Sequence, residues 1–240
     1  MNWKKMKIIE EIRKDLRAKV DEVYREGSMR FFKEEIKPYG VRSAETKKIA
    51  GKYWKKIKNK EKREIWEMCE KLWKSGWMEE RSIAINWSFR MKDKYEKEDM
   101  AVFERWLKKY VKNWAHCDVF CTSTMGEMLV RYPLFLKKLN KWARSRNRWM
   151  RRAAAVSFIY PVKREKYLKE TIEMADRLLM DKDDMVQKGY GWMLKEMANL
   201  YPMEVYEFVM KRKDKMPRTA LRYAIEKMPK SWKRKAMKRD

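Results

Sequence analysis

Trp192 sits in a segment whose apolar residues recur at helical spacing. At roughly 100° per residue, Val186, Tyr190, Met193, Leu194 and Met197 gather on one side as a core stripe. Trp192 falls nearly opposite that stripe, between Lys188 and Lys195. Two readings fit this placement. The indole packs on a neighbouring helical layer, or it is a platform for a base or sugar, with the two cations placed for phosphates.

A second constellation is Trp114-Ala115-His116-Cys117-Asp118. Trp114 and Asp118 are four residues apart and share a helix face. Cys117, Cys121, Met125 and Met128 form the adjacent apolar stripe, which leaves Asp118 at its border beside an aromatic ring. A carboxylate there can stabilise positive charge developing on a sugar, or orient an attacking water. The plain alternative is a first-turn aspartate favoured by the helix dipole. A third is Arg152, bordering the stripe of Trp149, Ala153, Val156 and Tyr160. Its planar fork suits a phosphate; the alternative is a solvated arginine.

His116, Cys117 and Cys121 do not make a metal site. His116 is the only histidine, two thiols and one imidazole leave a ligand missing, and the spacing matches no zinc module. No metal and no cofactor are expected. Glycine-rich phosphate loops, a zinc-protease helix and a serine nucleophile elbow are all absent from the sequence.

The elements that must position these residues are helices. The 240 residues contain 7 Gly and 6 Pro, too few turns for a many-stranded β fold. Hydrophobic residues make up 45%, enough for a sizeable core. Periodicity predicts one long helix from Trp3 to about Glu26, a short one over 30–37, and others over 43–58, 61–74, 78–91 and 99–111. Further helices follow over 114–131, 133–144, 148–160, 165–180, 183–200, 203–211 and 217–227, with a last basic segment over 231–240. Loops are short and polar, without a flexible linker, so a single domain spanning 1–240 is expected. Helix pairs recur at roughly 35–45 residues, the spacing of HEAT-type repeats. The expected fold is all-α: a curved solenoid of HEAT-like helical repeats with a basic concave face.

Charge narrows the partner. Sixty-two Lys+Arg stand against 35 Asp+Glu, a formal net charge of +27. Heat adaptation enriches Lys and Glu together, and the single glutamine, Gln187, fits it, but it does not explain a one-sided excess. The field attracts polyanions, nucleic acid first. No stretch approaches the ~18 apolar residues of a membrane span, and the charged N-terminus lacks a signal-peptide core. Three cysteines without framework spacing argue against a secreted disulfide scaffold. A cytoplasmic, monomeric protein without membrane attachment is expected.

The same segments resemble the AlkD-like DNA alkylation repair family. The resemblance runs through Tyr39-Gly40-Val41-Arg42, Leu72-Trp73-Lys74-Ser75-Gly76, Glu79-Glu80-Arg81 and Trp114 to Asp118. It continues at Trp149 to Ala155, at Val186 to Glu196 and from Met216-Pro217-Arg218-Thr219 to Lys227. The stretches around Trp192 and after Met216 are the most specific. It implies a curved stack of HEAT-like repeats and a DNA glycosylase that hydrolyses the N-glycosidic bond of purines alkylated at N3 or N7. Double-stranded DNA with alkylated bases would be the partner. By position, Asp118 would be the catalytic carboxylate, Trp114 and Trp192 would line the lesion's deoxyribose, and Arg152 would contact a phosphate. Chemistry on a lesion still stacked in the duplex is also implied. One departure is His116, where family members often carry an apolar residue. A basic helical protein that grips damaged or branched DNA without catalysis is the alternative.

Overall fold

The computed structural model describes residues 3–238, and among them every regular element is helical. Among the described residues the one β feature is an isolated bridge between Lys37 and Trp77, and no helix is long and apolar enough to cross a membrane. Contacts divide the chain into two compact units, Met1–His116 and Cys117–Asp240.

The first unit contains helices Trp3–Arg17, Glu22–Phe31, Ser43–Ile57, Lys62–Lys74, Met78–Arg90 and Asp99–Tyr110. The expected long N-terminal helix is broken after Arg17. The Lys19 amide closes a turn on the Leu16 carbonyl, and Asp21 caps a new helix by accepting from the Tyr24 amide. The end expected near Glu26 lies inside that second helix, which runs on to Phe31. The helix expected over 30–37 is not there. Lys37 instead makes the bridge to Trp77, and its carbonyl accepts from the Met78 amide.

The following turn, Tyr39-Gly40-Val41, is held from below by two buried acids. Glu79 accepts from all three amides at 2.9 Å. Fully buried Glu80 accepts from the Tyr39 hydroxyl at 2.8 Å and from both Nε and Nη2 of Arg13. Gly40 has φ +94°, and a side chain there would meet the Arg25 Cβ and the Asp21 carbonyl under 3 Å away. So the two acidic residues at the start of helix Met78–Arg90 work as buried caps for a distant turn, with Arg13 neutralising one of them. Trp73, Trp87, Trp106 and Phe103 are fully buried in the core of this unit.

The second unit contains helices Leu136–Trp142, Arg148–Val156, Ile159–Val162, Leu168–Arg177, Asp184–Met197, Pro202–Met210, Arg218–Ala224 and Lys230–Met237. Helix Asp184–Met197 packs between Arg148–Val156 and Arg218–Ala224. Glu165 and Tyr167 both adopt positive φ, which delays the helix expected from 165 until Leu168. The helix expected over 114–131 is interrupted. Trp114–Phe120 is α-helical, Cys121–Met125 forms a π turn, and Gly126–Arg131 resumes the α-helix. Such a turn often accompanies a functional site, and here it follows Asp118 by three residues.

Candidate functional site

In the second unit, Asp118 and Arg152 meet face to face. Arg152 donates from Nε to Oδ1 at 2.8 Å and from Nη2 to Oδ2 at 2.7 Å. The remaining guanidinium nitrogen, Nη1, donates to the Met185 carbonyl in the first turn of helix Asp184–Met197. Both side chains are withdrawn from solvent, 14% exposed for Asp118 and 6% for Arg152. The fork expected to contact a phosphate here holds the carboxylate and a carbonyl. Three helices, those carrying residues 118, 152 and 185, supply the three partners.

Sequence explains how the arginine reaches inward. Residues 153–156 are Ala-Ala-Ala-Val, all fully buried, so the helix lies close to its neighbours. Gly189 faces Arg152 across the packing, and a Cβ there would stand 3.0 Å from the Arg152 Cγ. The glycine makes room for the side chain one turn beyond Met185.

Burial pushes the Asp118 carboxyl above the usual aspartate range, and the contact with Arg152 offsets only part of that rise. Burial pulls the guanidinium down, but the Asp118 hydrogen bonds more than restore it, so Arg152 stays charged. The result is a desolvated, bidentate ion pair whose carboxylate is held in one orientation.

Trp192 lies on the opposite side of its helix from five fully buried residues, Val186, Tyr190, Met193, Leu194 and Met197, and is itself half-buried. Its Nε1 donates to Glu196 Oε1 at 3.1 Å, one turn on. The other oxygen of Glu196 pairs with Lys163 at 3.0 Å. Burial raises the Glu196 carboxyl, but the Lys163 and Trp192 hydrogen bonds bring it below the usual glutamate range. The indole is thereby fixed by a charged acceptor. Neither lysine flanking Trp192 is free of intramolecular partners. Lys188 pairs with Asp184 at 3.0 Å, and Lys195, 16% exposed, pairs with Glu226 at 3.0 Å.

In the first unit, Trp114 is held by rings. Phe32 stacks on it with centroids 5.1 Å apart and planes at 11°, and Phe31 approaches edge-on at 5.7 Å. Phe31 is 71% exposed, at the end of a helix with no buried residue. His116 is buried. Its Nε2 donates to the Met78 carbonyl at 3.0 Å, and its ring meets Trp73 edge-to-face. Burial lowers its pKa to about 4, so the imidazole is a neutral core group. Cys117 and Cys121 are buried free thiols.

The structure thus brings Asp118 and Arg152 together and ties Arg152 to the helix that bears Trp192. It gives Lys188 and Lys195 separate acidic partners. Sequence reasoning missed Glu196, Phe31 and Phe32. The i, i+4 spacing of Trp192 and Glu196 was a usable signal. The two phenylalanines were hidden in a segment read as an ordinary short helix.

The family model described as DNA alkylation repair enzyme matches residues 12–228. Among solved structures, one described as a predicted DNA alkylation repair enzyme from Enterococcus faecalis superposes with a TM-score of 0.79. It is 15% identical, over 88% of this chain and 98% of that one, so the likeness is one of fold. No curated protein matches the sequence.

Proposed function

The chain belongs to the DNA alkylation repair enzyme family, and from that premise we propose that it is a DNA glycosylase excising N3- or N7-alkylated purines from duplex DNA. The observation that carries this reading is the buried Asp118 carboxylate, clasped on both oxygens by Arg152. An enzyme that must stabilise a cation on a sugar needs a desolvated negative charge in a fixed orientation, and the pair supplies one.

Alkylation at N3 or N7 puts a positive charge on the purine. When the C1′–N9 bond breaks, its electron pair neutralises the departing base and leaves cationic character on the deoxyribose. Asp118 stabilises that charge and takes the proton from the water that adds to C1′, leaving an abasic sugar. Trp192 offers an indole face to the same cation. Its N–H bond to charged Glu196 holds the ring and enriches its π face. Trp114, four residues before Asp118 in sequence, is assigned the same role. Arg152 is a positioning residue whose guanidinium holds both Asp118 oxygens. Lys188 and Lys195 reach phosphates by exchanging their acidic partners. In this reading the repeats form one curved solenoid with a basic concave face, which acts as a monomer on duplex DNA.

A non-catalytic grip on damaged DNA is the second reading, favoured by the engagement of both Asp118 oxygens within the protein. Base release decides between them. The glycosylase liberates free 7-methylguanine or 3-methyladenine from methylated duplex DNA, and rate falls as pH drops through a value above the ordinary aspartate range. DNA binding without any release of base would establish the second reading.

A further inference from the structure

The family match ends at residue 228. Beyond it the chain continues as Pro229-Lys230-Ser231-Trp232-Lys233-Arg234-Lys235-Ala236-Met237-Lys238-Arg239-Asp240, with six Lys or Arg against one Asp. This extension is an ordered helix, Lys230–Met237, fixed to the second unit at both ends. Trp232 stacks on Tyr206 with centroids 4.4 Å apart, and Ala236 is fully buried. At the C-terminal end, Lys213 donates to the Lys238 carbonyl at 3.1 Å and Arg218 to the Met237 carbonyl at 2.8 Å. Two cations from the family-matched region thus cap the helix where its dipole is negative.

With Trp232 and Ala236 turned inward, Lys230 and Arg234 lie on the opposite side, Lys235 lies on its flank and Lys238 follows at the C-cap; all four are exposed. Among the described residues, none of these four has an ion-pair partner, whereas Lys188, Lys195 and Arg212 each have one. Clustering like charges costs self-repulsion, and no ion-pair partner among the described residues offsets it at these four. A polyanion relieves it.

We propose that helix Lys230–Met237, outside the family-matched residues, is a second duplex-DNA-binding surface that grips the phosphate backbone without reading sequence and extends the footprint beyond the lesion. The inference rests on the DNA-directed reading above. Duplex DNA is favoured over an anionic membrane because the helix keeps no free apolar side to insert into lipid: its tryptophan is stacked on Tyr206. The same stacking leaves no exposed aromatic on this helix for unpaired bases, which disfavours single strands. Rigid anchoring at both ends sets the cations on a fixed scaffold, so little ordering is needed on binding.

The test compares wild type with the variant Lys230→Gln, Arg234→Gln, Lys235→Gln, Lys238→Gln, as full-length protein binding unmodified duplex DNA over a range of salt. Each phosphate contact contributes about 0.9 to the slope of log affinity against log salt. Losing two to four contacts lowers that slope by about 2 to 4 and weakens binding about tenfold or more at ~0.1 M salt. Single-turnover base release at saturating protein stays at the wild-type rate. A companion variant, Lys230→Arg, Lys235→Arg, Lys238→Arg, retains slope and affinity, because charge and not residue identity is at work. Equal slopes for wild type and the glutamine variant would overturn the proposal while leaving the glycosylase reading intact. Failure of wild type to bind duplex DNA at all overturns both. Loss of binding to phosphatidylserine vesicles with DNA binding unchanged, or tighter wild-type binding to duplex RNA than to duplex DNA, also overturns it.

Discussion

Asp118 and Trp114 lie one helical turn apart in sequence, yet the two regions that hold them are built by opposite means. In the second unit the candidate groups are locked by charge. Asp118 has both oxygens on Arg152, Arg152 is anchored on Met185, and Trp192 is tied to Glu196, which in turn pairs with Lys163. In the first unit Trp114 is held by a phenylalanine stack that ends in exposed Phe31, on a helix with no buried residue. Charged, desolvated contacts are costly to break singly, whereas ring contacts are weak and adaptable. In the proposed reading Asp118 and Trp192 belong to the charge-locked region and Trp114 to the ring-held one.

Substitutions that remove one member of each contact sharpen that contrast. The largest effect on stability is expected for Arg152→Ala. It leaves a buried carboxylate without its partner and should cost about 3–5 kcal/mol, read by chemical denaturation. Arg152→Lys recovers only part, because an ammonium cannot make the two-pronged contact. A loss under about 1 kcal/mol would mean that the ion pair is not the anchor described.

His116 gives the next largest effect, in the first unit. Its pKa is lowered to about 4 by burial, against about 6.5 in an unfolded chain. Between these values the unfolded state binds more protons, so stability is full above about 6.5 and falls as pH drops toward 4. The total loss is on the order of 3 kcal/mol. Replacing the sole histidine by glutamine flattens stability between about pH 6.5 and 5; an unchanged pH slope would show that the imidazole is solvated.

Glu196→Ala removes the partner of both Trp192 and Lys163; it should cost about 1.5–3 kcal/mol, the range for a hydrogen bond to a charged group, and slow base release about three- to tenfold through a mobile Trp192. Wild-type kinetics in this variant would leave the Trp192 assignment without its support. Phe32→Ala is expected to cost about 0.5–1.5 kcal/mol beyond the loss of buried area, the worth of one stacked pair. Phe31→Ala, at 71% exposure, should leave stability within about 0.5 kcal/mol. If Phe31→Ala proved the more damaging, the first unit's aromatic cluster would be built from its rim inward. Smallest of all, Lys188→Ala removes an exposed i, i+4 pair worth about 0.3–0.5 kcal/mol. Its effect should show mainly as a salt slope shallower by about 1.

Helical periodicity made most of the elements legible, and it also set Trp192 apart, because the five residues opposite it form an uninterrupted buried stripe. It failed where local chemistry overrides it. The Asp21 cap splits a pattern that reads as one helix, and the π turn at Cys121–Met125 has no signature in apolar spacing. The left-handed residues Glu165 and Tyr167 shorten another helix. For the site, Trp114, Asp118, Arg152 and Trp192 were visible as residue types at helical positions. Their partners were not, since pairing Arg152 with Asp118 spans 34 residues and depends on Gly189 admitting the arginine from a third helix. A solvated arginine and a phosphate-binding one look alike in sequence, and so does one that clamps a carboxylate.

The account stands most directly on Asp118→Asn, assayed by single-turnover release of 7-methylguanine from methylated duplex DNA. The substitution keeps the shape of the side chain and removes its charge. Release is expected to fall by about 10²–10³-fold, the cost of deleting one transition-state electrostatic contact, while binding to unmodified duplex DNA stays within a few-fold of wild type. Release at the wild-type rate would contradict the assignment of the reaction to this carboxylate.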